Sequence, residues 1–128
     1  MKKELEGRSD IYVFVKEFYT KLLQDEIVNH FFEDFKNEDK LEIHLQVLVD
    51  FWDNILFYSG TYQKNAMQPH LLLHQKKEFK EIHFTHWLLH FNTTIDSLFI
   101  GEMAHTAKSR ALSIATVMQI KVNEQNKK

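Results

Sequence analysis

The 128-residue sequence contains no cysteine, one proline and three glycines. Without cysteine the chain can form no disulfide, iron–sulfur cluster, cysteine-ligated zinc site or thiol nucleophile, so histidine or carboxylate groups must supply any metal ligand. With so few turn-forming residues, an architecture of many short strands is unfavourable. These absences favour an all-helical protein.

The sequence also lacks an excess of positive charge and a long apolar run. Sixteen Lys and Arg residues are balanced by eighteen Asp and Glu residues, and no basic stripe of the kind that binds nucleic acid is present. The start of the chain, Met1 to Glu6, is charged where a signal peptide would be apolar, and no segment reaches the roughly 18 apolar residues of a membrane span. We therefore expect a soluble cytoplasmic protein with neither nucleic-acid nor membrane partners.

Aromatic residues and histidine, in contrast, are abundant. The chain has 11 Phe, 4 Tyr and 2 Trp together with 8 His. A helical bundle built on Leu and Ala would not need so many aromatic groups, so their number suggests that a flat apolar molecule is enclosed in the core.

Hydrophobic periodicity predicts four long helices around one core, in a single domain that spans residues 1–128. One short helix is predicted after the first long helix, and another is predicted to begin at Pro69. The termini, about residues 1–8 and 123–128, are expected to be flexible. The long helices are predicted at about residues 10–24, 39–58, 80–99 and 102–122.

Two pairs of histidines have the four-residue spacing that places both rings on one helix face. These pairs are His70 with His74 and His86 with His90, and the geometry is compatible with zinc. Neither pair has the glutamate after its first histidine that the H-E-x-x-H hydrolases use. The spacing thus permits a metal without indicating a zinc hydrolase.

His70 follows Pro69 within an apolar run and is also a candidate haem ligand. One neutral imidazole is enough to hold haem iron from the protein side, because the porphyrin supplies four nitrogens. The same pattern also suits a histidine that is simply packed in a core. The residues expected to face the other side of such a haem are Phe18, Tyr19, Phe32, His44, Leu48, Phe51, Trp52 and Trp87.

Three motifs occur together in the chain. His44 is followed at the seventh and eighth positions by Phe51 and Trp52, His70 stands eighteen residues after that Trp, and an H-F-x-x-W-L motif begins at His83. With this combination the chain resembles the group III truncated haemoglobins over roughly residues 8–122.

The resemblance implies a shortened globin fold, with two helix pairs stacked over one non-covalently bound haem b. It implies that His70 is the proximal iron ligand and that Tyr19 and Trp87 are distal hydrogen-bond donors to a diatomic ligand. The spacing between His70 and Trp87 is a few residues longer than in some members of the family, which leaves His74 as a rival ligand. His44 is implied to lie at the gate of the pocket. The other residues implied to line the haem pocket are Phe18, Phe32, Leu48, Phe51, Trp52, Met67 and Phe84.

The function implied by the resemblance is binding or transport of O2, with NO and CO as further ligands. Nitric oxide dioxygenase or peroxidase-like activity is a second interpretation on the same scaffold. It would need an external reductase, because the chain carries no flavin motif. An interpretation from another class is a haem-free helical interaction module whose aromatic residues form only its core.

Overall fold

The computed structural model describes residues 2–57 and 80–126, with side chains described up to residue 121. The described parts are almost entirely helical, which confirms the predicted all-α class. The elements are β1 (Lys3–Glu4), α1 (Arg8–Gln24), a 3₁₀ helix (Asn29–Lys36), α2 (Glu38–Phe57), α3 (Glu81–Leu98), β2 (Phe99–Ile100) and α4 (Glu102–Asn126).

The four long helices lie where the periodicity predicts them, within a few residues at each end. The predicted short helix after α1 is a 3₁₀ helix with a kink at Phe32, whose φ of −119° and ψ of 21° are not helical. The short helix predicted at Pro69 lies outside the described residues. None of the described helices combines the length and apolar character needed to cross a bilayer.

The core lies where α1 contacts α2 and α3, while α3 also packs on α4. Phe14 of α1 is fully buried at its centre. Its ring meets the rings of Trp52, Phe91 and Phe99 edge to face, at centroid distances of 5.8, 5.6 and 6.4 Å. Small side chains on the buried face of α4 allow α3 to approach closely; these are Ala104, Ala107, Ala111 and Ala115.

The N-terminal segment pairs with the corner between α3 and α4. The sequence predicts flexibility over residues 1–8, but β1 forms a parallel pair with β2, in which Lys3 lies opposite Phe99. Leu5 is buried in the core. Gly101 has a φ of +97°, and a Cβ there would lie 3.0 Å from Oε1 of Glu4. The positive φ therefore favours glycine at this corner, and a Cβ there would also displace the side chain of Glu4.

Candidate functional site

Two polar aromatic side chains flank the ring of Phe18. Phe18 meets Tyr19 edge to face at a centroid distance of 5.6 Å and meets Trp87 in the same way at 5.4 Å. Phe18 and Tyr19 are neighbours on the buried side of α1, whereas Trp87 comes from α3. The packing of α1 on α3 thus brings a phenol and an indole to one aromatic wall.

Tyr19 is hydrogen-bonded to His44 of α2. The distance between Tyr19 Oη and His44 Nε2 is 2.8 Å, and either atom donates depending on the tautomer of the imidazole. Tyr19 is only 2% exposed. Burial raises the pKa of its phenol well above the ordinary value, so the hydroxyl keeps its proton at neutral pH.

His44 is only partly buried and is held by the 3₁₀ helix as well as by Tyr19. Its ring stacks on Phe35 at a centroid distance of 4.3 Å and an interplanar angle of 14°. Phe35 also contacts the ring of Tyr19 at 5.9 Å. Sequence reasoning did not select Phe35, because the segment that contains it shows no regular periodicity that would assign it a face.

Trp87 is 6% exposed, and its indole Nε1 is itself buried. The indole ring stacks on Phe91 at 5.9 Å, and Trp52 stacks on Phe91 at 5.1 Å. Trp52 therefore lies in the interior, where it also meets Phe14. These stacked rings fix the orientation of Trp87 beside Phe18.

The other described pocket candidates lie on the 3₁₀ helix, α2 and α3. Phe32 contacts the ring of Tyr19 at 5.6 Å. Leu48 and Phe51 on α2 are half-buried against the core, and Phe84 on α3 is buried. Met67, His70 and His74 lie outside the described residues.

The described wall fits the distal side of a haem. Aromatic edges provide the apolar surface that a porphyrin needs. Polar atoms enter this surface at Tyr19 Oη, Trp87 Nε1 and His44 Nε2. A phenol O–H and an indole N–H are donors on rigid rings, which suits them to hold a small acceptor molecule.

The histidine pair His86 and His90 has a third partner, Asp25 at the end of α1. His86 Nδ1 is 2.7 Å and His90 Nε2 is 2.6 Å from Oδ2 of Asp25. Partial burial acts to raise the pKa of Asp25, but its hydrogen bonds with both histidines and with the backbone N–H of Ile27 outweigh this and lower the pKa to about 2.

Comparisons with known proteins agree on the fold. A model of the bacterial-like globin family matches residues 3–123. A group III truncated haemoglobin from Campylobacter jejuni has a crystal structure that matches with a TM-score of 0.85 and 24% sequence identity, covering 95% of each chain. No curated protein matches significantly. The predicted resemblance to truncated haemoglobins is thus confirmed at the level of the fold.

Proposed function

Because the chain belongs to the bacterial-like globin family, we propose that it binds O2, NO or CO at a haem iron held by His70. Membership of this family implies a haem cofactor, which the haem-free alternative lacks. We assign haem b, since covalent attachment of the c type uses cysteines and the chain has none. When bound, the haem iron supplies the position at which a diatomic ligand coordinates.

The observation that carries the proposal is the partly buried hydrogen bond between Tyr19 and His44. With the proton on Nε2, His44 donates to Tyr19 Oη at 2.8 Å, and the phenol proton is then available to a ligand in the pocket. With Nε2 unprotonated, Tyr19 instead donates to His44 and its proton is engaged. We assign to the ligand-bound protein the arrangement in which His44 donates, because the imidazole N–H and the phenol O–H then each have an acceptor: Tyr19 Oη and the ligand.

Trp87 supports the same role from α3. Its indole N–H is buried beside Phe18, so two donors on different helices flank one aromatic ring. The surrounding aromatic rings exclude water, and a hydrogen bond in such a low-dielectric setting is stronger than one in solution. Bound O2 carries more negative charge than CO, so this pair of donors favours retention of O2.

His44 is proposed to control entry to the pocket. It is partly exposed and lies between Phe35 and the Tyr19 hydroxyl, so rotation of its side chain would open the wall toward solvent. If His44 instead coordinates iron directly, the ferrous protein without ligand will show low-spin visible bands that disappear in His44→Ala. If the ferrous wild-type protein without ligand shows a five-coordinate spectrum instead, His44 does not bind the iron, which supports the gating role.

The absorption spectrum of the purified protein tests the proposal as a whole. We expect a Soret band that His70→Ala greatly weakens and His74→Ala, the matched control, leaves in place. Absence of the band even after addition of hemin would overturn haem binding. Loss of the band in His74→Ala alone would transfer the ligand role to His74.

Catalytic turnover is a separate prediction. Consumption of NO or peroxide by this scaffold needs electrons from a reductase. Steady turnover of NO with such a reductase added would support the dioxygenase interpretation, and single-turnover reaction alone would support ligand binding.

A further inference from the structure

Asp25, His86 and His90 form a group of potential metal ligands outside the aromatic wall, here called the Asp–His cluster. One nitrogen of each ring lies within 2.7 Å of the same carboxylate oxygen, Oδ2 of Asp25. All three ligand atoms lie within 4.8 Å of one another. The cluster thus joins residues that are 61 and 65 positions apart in the chain.

The backbone positions the three side chains before any ion arrives. Asp25 is the C-cap of α1, where its backbone N–H donates to the carbonyl of Leu22. Its other carboxylate oxygen, Oδ1, accepts a hydrogen bond from the N–H of Ile27 at 2.9 Å. His86 and His90 are one turn apart on α3, so both rings lie on the helix face that meets the end of α1. The fold therefore fixes the carboxylate and both rings at once.

Two imidazole nitrogens and one carboxylate oxygen are a set of ligand atoms that suits zinc and other divalent ions of the first transition series. Zinc bonds of about 2.0–2.2 Å in tetrahedral geometry place neighbouring ligand atoms about 3.4 Å apart. The hydrogen-bonded N–O distances of 2.6 and 2.7 Å need to widen by less than about 1 Å to reach that value, which small side-chain rotations provide.

The cluster also has an open side for a fourth ligand. The side chains of Asp25, His86 and His90 are 13, 28 and 20% exposed, so water can reach the ion position. A shallow depression lined by Lys21 and Gln24 adjoins Asp25 and His90. The ammonium group of Lys21 lies 3.6 Å from Oε2 of Glu17, which offsets part of its positive charge.

We propose that the Asp–His cluster is a binding site for a zinc-class divalent ion, distinct from the haem pocket. The ion would replace the two hydrogen bonds to Asp25 by three coordinate bonds and join the end of α1 to α3. These are the helices that carry Tyr19 and Trp87, so the bound ion would stabilise the framework of the aromatic wall.

Equilibrium dialysis of the haem-loaded protein against Zn²⁺ tests the proposal, with Mg²⁺ in parallel. Since the chain has eight histidines, the comparison of variants decides the site. We expect the double variant His86→Gln with His90→Gln to lose one bound zinc. Each single variant should lower the affinity of this site for zinc. Loss of a residue that only supports a ligand lowers metal affinity by roughly 10- to 100-fold, and loss of a ligand itself should cost at least as much. His105→Gln, which changes an exposed histidine on α4, should bind zinc like the wild type.

Thermal unfolding gives a second readout that does not depend on the double variant. Zinc should raise the Tm of the wild type and of His105→Gln, and should raise it less in either single variant. Magnesium should have no effect, because it prefers an octahedral shell of oxygen ligands. Equal zinc binding by the wild type and the single variants, or no zinc binding by the wild type, would overturn the proposal and leave the cluster as a hydrogen-bonded contact.

Discussion

Replacement of Tyr19 by Phe removes one hydroxyl from a site that is 2% exposed and keeps the ring contacts with Phe18 and Phe32. We expect faster O2 release from this variant. A hydrogen bond to a partly charged acceptor in a buried site contributes about 1.5–3 kcal/mol. Since about 1.4 kcal/mol corresponds to a tenfold change in rate, release should accelerate about 12- to 140-fold.

The hydrogen bond to His44 sets the lower limit of this effect. If the phenol donates to His44 in the ligand-free protein, it must break that hydrogen bond before it can donate to O2. The net stabilisation of bound O2 is then about 0.5–1.5 kcal/mol, and its loss in Tyr19→Phe accelerates release by roughly 2- to 12-fold. His44→Leu separates the cases by sign. Release becomes faster if His44 donates to Tyr19 Oη, as we assign, and slower if His44 competes for the phenol proton.

Stopped-flow displacement of O2 by excess CO measures the rate. Tyr12→Phe is the matched control, because the Tyr12 hydroxyl is also hydrogen-bonded, 2.6 Å from Glu42 Oε1, but at the surface. The control should release O2 like the wild type. A Tyr19→Phe rate within twofold of the wild type, or equal changes in both variants, would refute the assignment of Tyr19 as a distal donor.

Three further predictions concern stability. Removal of haem should lower the Tm and the helical circular dichroism signal, because a ligand bound by the folded state adds to its stability; an unchanged Tm would contradict the proposed role of haem in the core. In urea unfolding, Phe14→Ala should lower the free energy of unfolding by about 3–5 kcal/mol by opening a cavity. Ile43→Ala, at a position 68% exposed, should change it by less than about 0.5 kcal/mol, and similar losses in the two variants would contradict the described core. Because burial raises the pKa of Tyr19, its contribution to stability is present below the ordinary value of 10.0 and is lost as the pH rises above it. Urea unfolding above pH 10 should therefore show a steeper loss for the wild type than for Tyr19→Phe, and parallel curves would count against this effect.

The long helices could be predicted from the sequence because each has an apolar stripe of helical period. The same stripes placed Phe18, Tyr19 and Trp87 on buried faces, where the structure has them. The role of His70 stays a prediction, because that residue lies outside the described parts.

Features that depend on contacts between distant segments could not be predicted in this way. Two-residue strands such as β1 and β2 carry no periodic signal. Asp25 comes 61 residues before His86, and only the packing of α1 on α3 shows that it faces the histidine pair. Phe35 likewise becomes a pocket candidate only when the 3₁₀ helix is seen against His44.

The pairing of β1 with β2 connects the start of the chain to α3, the helix that carries Trp87. β2 follows directly from α3, and the side chain of Glu4 occupies the space beside Gly101 that any Cβ would enter. Residues 3 and 4 are therefore paired with the segment that continues α3, twelve positions after Trp87. We expect an alteration of β1 to reach Trp87 through a change in the angle of α3, with every side chain of the aromatic wall left intact.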